Sequence, residues 1–154
     1  MAKFTFNLEG VLTQREHIER QRQRDLAEAQ GVVAKLEQQL KGVEGTQSDA
    51  LRDLRENRLV GSIDLAFLAA HRRFMLATQK KGMDIVQQIA NAQRTVDTAR
   101  AALIEAAKQR KAIEILRDKR HELWKQEQAK KEMDALDEAS MQLVYFHGDD
   151  RKQD

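Results

Sequence analysis

The sequence predicts an all-α protein, a long two-helix antiparallel coiled coil whose second helix overhangs the first. Three observations carry this. No proline occurs in the 154 residues. From Leu68, steps of seven give Leu68, Met75, Gly82, Ile89, Val96 and Leu103, and a companion series three residues later gives His71, Thr78, Ile85, Ala92, Ala99, Ala106 and Ile113. Between Ile85 and Ala106 both series are apolar without a gap, which is the seam of a coiled coil. A seam this narrow cannot bury itself, and Gly61-Ser62-Ile63-Asp64 offers a place for the chain to turn back, with a helix-ending glycine followed by capping residues.

Each element follows in order. Phe4 and Phe6 alternate with polar residues, and Asn7 suits an N-cap for a first helix over about 8–58. Its apolar positions are Leu8, Leu12, then Leu26, Ala29, Val33, Leu36, Leu40 and Val43, at alternating steps of four and three. Between Leu12 and Leu26 the frame falls on Arg15, Glu19 and Arg22, whose long stems can lie over a seam. Gly42 and Gly45 weaken the helix by about 1 kcal/mol each without ending it. A turn over about 59–63 leads to a second helix over about 64–144, and residues 147–154 read as a disordered tail. The whole of 1–154 forms one coiled-coil domain in this reading.

Placing the turn near Ser62 makes the numbers of facing residues add up to about 125. Leu26 then faces Ala99, Ala29 faces Val96, Val33 faces Ala92, Leu36 faces Ile89, Leu40 faces Ile85, and Leu12 faces Ile113. Large opposes small in several layers, as close packing requires. Gly82 falls opposite Val43 and Arg22 opposite Leu103. At 1.5 Å per residue the second helix overshoots the first by about 30 residues, starting near Arg117. That overhang carries Leu123, Trp124, Met133 and Leu136, an apolar surface offered to a partner.

Composition excludes several functions. Charged residues are 34% and aromatics 5%, the balance of solvated helices with no deep pocket. A net charge of +2 gives no general pull toward nucleic acid or acidic lipid. Lys108 to Lys131 holds nine Lys/Arg, but four acids are interleaved, which suits a solvated face or docking to an acidic groove better than a phosphate backbone. His121-Glu122 opens like a zinc-protease helix, yet position 125 is Lys, and the four histidines share no face. No phosphate loop, catalytic nucleophile or cofactor motif is present, so no enzyme is expected. The absence of cysteine, of a signal-like apolar run and of any membrane-spanning stretch points to the cytoplasm.

The opening Phe4-x-Phe6-x-Leu8-x-x-Val11-Leu12-x-x-Arg15-x-x-x-Glu19 and the close Ile115-Leu116-Arg117-Asp118-Lys119-Arg120-His121-Glu122-Leu123-Trp124 resemble the FliJ family of flagellar export proteins. The Phe67 to Phe74 segment after the glycine turn and the Leu136-Asp137-Glu138-Ala139 run are similar as well, so the resemblance covers nearly the whole chain. It implies a non-enzymatic component of the flagellar type III export apparatus, cytoplasmic and peripheral to the inner membrane. Such a protein resembles the central stalk of rotary ATPases. It inserts into the hexameric export ATPase and promotes ring assembly, contacts the cytoplasmic domain of the export gate, and escorts substrate chaperones. The residues implied at the ATPase ring are Phe4, Phe6, Arg15, Arg117, Arg120, Leu123 and Trp124. For gate contact the resemblance implies Gln39, Val43 and Phe74, although the family's tyrosines are absent and Thr46 and Ala50 stand in their place. The competing readings are the equivalent stalk of a virulence-type secretion system, a generic coiled-coil adaptor, and a nucleic-acid-associated rod.

Overall fold

A computed structural model of the chain describes residues 3–149. It is an all-helical two-helix hairpin: α1 spans Glu9–Asp53, a single π-helical turn follows at Leu54–Arg58, and α2 spans Leu65–Asp149. The second helix is the longer, 85 residues against 45. Packing divides the chain into two compact units, one of Met1–His17 with Ala107–Asp154 and the other of Ile18–Ala106.

In the unit Ile18–Ala106 the seam has the spacing of the heptads. On α2 the positions withdrawn from solvent include Gly82, Ile85, Ile89, Ala92, Val96 and Ala99, and on α1 Leu26, Ala29, Val33, Leu36, Leu40 and Val43. Of these, Ala29, Val43, Ile85 and Val96 are buried, and the others are half-buried. Among the described residues no large side chain is completely enclosed, because two helices can cover each other on one face only. The pairing of Val43 with Gly82 is direct: a Cβ built on Gly82 would lie 3.7 Å from Val43 Cγ1 and 3.9 Å from Leu40 Cδ1. Those are ordinary contact distances, so Gly82→Ala adds packing and removes about 1 kcal/mol of helix penalty. It is expected to raise the melting temperature by roughly 2–4 °C, read by circular dichroism.

One layer of the sequence frame is polar and solvated on the α1 side. The Arg22 side chain is 48% exposed and its Nη1 donates to Asp25 Oδ2 at 3.1 Å on the same helix. An ion pair three residues away in water satisfies the guanidinium at less desolvation than a seam position.

The turn is built as its residues dictate. Gly61 adopts φ +84°, the left-handed conformation that a side chain disfavours. Asp64 caps α2, accepting from the backbone N–H of Ala66 at 2.9 Å and of Phe67 at 3.2 Å. The π turn before it brings Arg58 over the Phe67 ring, 4.6 Å from its centroid, and Asn57 Nδ2 donates to Asp53 Oδ1 at 2.8 Å. Gly61→Ala is expected to lower stability by about 1 kcal/mol, the cost of left-handed backbone, measured by denaturant titration.

At the other end α1 starts at Glu9, not Leu8. Asn7 and Leu8 form a turn closed by the Glu9 amide on the Phe6 carbonyl at 3.1 Å. α2 runs to Asp149, beyond the boundary near 144 and into the first part of the expected tail, since one glycine at 148 weakens a helix without ending it. Residues 150–154 of that tail lie outside the described residues.

Candidate functional site

In the unit that joins Met1–His17 to Ala107–Asp154, Leu12 is 3% exposed and anchors the start of α1, and Ile113, its expected facing residue, is half-buried. Upstream of α1 the Phe4–Phe6 stretch, which belongs to neither helix, lies against α2 around residues 120–124. Phe6 is buried, and Arg120 places its guanidinium 5.9 Å from that ring. Phe4 meets His121 edge-on at 4.9 Å between centroids and Trp124 at 5.8 Å, while His121 and Trp124 stack at 6.0 Å and 12°. The spacing of three puts His121 and Trp124 on one helix face, so a single phenylalanine reaches both. The sequence placed His121 in an incomplete zinc motif and in the family-like close, with no role of its own; its part in this aromatic clamp is signalled by its place three residues before Trp124, once Phe4 is known to reach there. Among the described residues no group of His, Asp or Glu could hold a metal ion.

The implied ring-binding residues do gather here, in two kinds. Arg15 and Arg117 are tied down: Arg15 Nη1 donates to Gln109 Oε1 at 2.6 Å, and Arg117 lies 3.7 Å from Glu9 and 3.9 Å from Asp118. These contacts fasten the start of α1 to α2. Arg120 and Leu123 instead face solvent, Leu123 at 59% exposure. A cleft lined by Phe4, Thr5, Phe6, Glu9, Arg117, Asp118 and His121 opens beside them. Beyond Gln128 every described side chain on α2, from Ala129 to Gln142, is exposed, including Met133, Leu136 and Met141.

Between the anchor and the clamp, Glu114 accepts from Arg110 Nη1 at 2.9 Å and Lys111 Nζ at 3.0 Å. Its carboxyl is held below the ordinary carboxylate value by the Lys111 hydrogen bond, then by the charges of Lys111 and Arg110. A folded value lower than the unfolded one stabilises fully above the unfolded pKa and is lost as pH falls through the folded value. Glu114→Gln is therefore expected to flatten the acid limb of the melting-temperature profile, with the difference from the parent disappearing at the acid end.

The residues implied for gate contact lie in the unit Ile18–Ala106. Gln39, Val43 and Phe74 line one groove of about 750 Å³ with Gly42, Thr46, Thr78, Lys81, Asp84, Ile85 and Gln88. Val43 forms its floor and Phe74, 43% exposed, forms a wall.

No curated protein and no solved structure gives a significant match to the chain. The family model described as the flagellar FliJ protein matches residues 4–148. That span takes in the aromatic clamp, both helices and the glycine turn, so the chain belongs to the FliJ family, a non-catalytic component of the flagellar export apparatus.

Proposed function

We propose that the protein acts as the central stalk of the hexameric flagellar export ATPase, inserting the end that carries the aromatic clamp and promoting ring assembly and turnover. The observation that carries this is the clamp itself with what projects from it. Phe4, His121 and Trp124 stiffen the end of the hairpin, Arg120 and Leu123 stand outward, and α2 continues past them with its described side chains exposed through Gln142. A single helix with cations and apolar groups on its surface suits a ring lumen whose subunits present a repeated groove. Rigidity matters because a flexible plug would lose ordering entropy on insertion.

The same reading assigns the groove of Gln39, Val43 and Phe74 to the cytoplasmic domain of the export gate, and leaves the escort of substrate chaperones to the helical surfaces. It places the protein in the cytoplasm at the inner-membrane export apparatus. Among the described residues no helix is long and apolar enough to cross a membrane. Phe74→Ala is expected to weaken gate binding about tenfold, as loss of an exposed aromatic anchor does, measured by titration against the isolated gate domain.

The direct test mixes the protein with the export ATPase and follows hexamer formation and ATP turnover. Stimulation of both is expected. Turnover unchanged over a range of stalk concentrations would remove the stalk reading and leave a coiled-coil adaptor.

A further inference from the structure

The helix beyond the clamp carries a short second seam of its own. Ala129, Met133, Leu136 and Ser140 follow at steps of four, three and four, and all four are exposed. This is heptad spacing with no intramolecular helix on it among the described residues. Charge along the same stretch is uneven: Lys125, Lys130 and Lys131 lie before Met133 with Glu127 and Glu132 among them, and Asp134, Asp137 and Glu138 follow it.

We infer that this stretch pairs with the same stretch of a second copy of the chain, antiparallel, about a two-fold axis between Asp134 and Ala135. Met133 then packs on the partner's Leu136, and Ala129 on the partner's Ser140, each contact made twice by symmetry. In antiparallel coiled coils the residue after each d position faces its counterpart across the seam. Lys130 therefore meets the partner's Asp137, again twice, and on the other flank Glu132 meets the uncharged partner's Ala139.

The charges select this arrangement from its rivals. Sliding one heptad in either direction sets Lys130 against the partner's Lys130, or Asp137 against the partner's Asp137. Parallel in-register pairing is worse, since it sets Lys125 against the partner's Lys130 and Glu132 against the partner's Asp137. Of these four arrangements, only the antiparallel register centred between Asp134 and Ala135 brings opposite charges together on a flank and like charges nowhere, and its two-fold symmetry closes the assembly at two chains. The seam is four layers long, well below the area of a stable dimer, so the association is weak and depends on concentration. It covers Met133 and Leu136 in the free protein, and any partner that takes this helix must displace the second copy.

Sedimentation velocity on the full chain at low salt, from about 1 μM to about 1 mM, tests it in the range where weak interfaces titrate. The weight-average coefficient is expected to rise with concentration toward that of a dimer. Leu136→Glu should hold the protein monomeric throughout, with helicity unchanged because the side chain is already exposed. Lys130→Asp alone and Asp137→Lys alone should each weaken association about tenfold, by converting two attractive pairs into repulsive ones. The double variant, Lys130→Asp with Asp137→Lys, should restore it. A parent chain monomeric at every concentration overturns the proposal. So does association that survives Leu136→Glu, or a double variant as weak as the single ones.

Discussion

Ending the chain at Lys111 is expected to abolish stimulation of the export ATPase while leaving most of the α1–α2 seam in place. The truncation removes Arg117, Arg120, His121, Leu123 and Trp124, and with them the surface on which Phe4 and Phe6 rest. A truncated chain could fail because its start is unfastened and not because a contact surface is gone. A second variant separates these causes. Arg120→Glu with Leu123→Asp changes two outward-facing side chains and spares Phe4, His121 and Trp124. Its melting temperature should fall only slightly, because all that is lost within the protein is the Arg120 guanidinium near the Phe6 ring, a contact worth about 0.5–1 kcal/mol at an exposed site. The concentration of stalk giving half-maximal turnover should rise tenfold or more, about 1.4 kcal/mol, as expected for an arginine beside an apolar anchor in a partner groove. Full stimulation by the double variant would move the docking surface elsewhere.

Val96→Asp is expected to have the largest effect on stability. Val96 is 3% exposed in the middle of the seam, and the register sets it against buried Ala29. A carboxylate there has no cation within the seam and must stay desolvated or force the helices apart. Such substitutions exceed about 4 kcal/mol, and in a chain of this size that is a fall of more than about 10 °C in melting temperature. Ile104→Asp is the control: Ile104 is 51% exposed, and its replacement should shift the melt by no more than a degree or two. Circular dichroism at 222 nm reads both. Equal losses from the two would mean that the seam does not hold the hairpin together.

The seam was legible because coiled-coil packing is periodic, and a period is what a sequence displays. Ile85, Ile89, Ala92, Val96 and Ala99 are withdrawn from solvent where the heptads put them, and Gly82 meets Val43. Asp64 was legible as a cap because a side-chain oxygen before an N-terminal turn has few other uses. The Arg22–Asp25 ion pair was not, since a heptad frame says nothing of which neighbour a solvated side chain takes. Nor was the π turn at Leu54–Arg58, which inserts an extra residue that no spacing rule announces. The clamp was half legible. Phe4, Phe6 and Trp124 were named together through the family resemblance, but the spacing of three from His121 to Trp124 gains its meaning only once Phe4 is known to reach both rings. That depends on how far the residues ahead of α1 reach along α2, a distance set in three dimensions.

In a single chain the helix from Ala129 to Gln142 has every side chain exposed and holds its shape by local hydrogen bonds, the Ser140 hydroxyl donating to the Leu136 carbonyl at 2.7 Å among them. Its amide protons should exchange with solvent orders of magnitude faster than those around Val96, because local opening there separates no packed side chains. A partner that grips it would slow that exchange residue by residue, tracing its own footprint in the deuterium uptake of a chain that undergoes no other change.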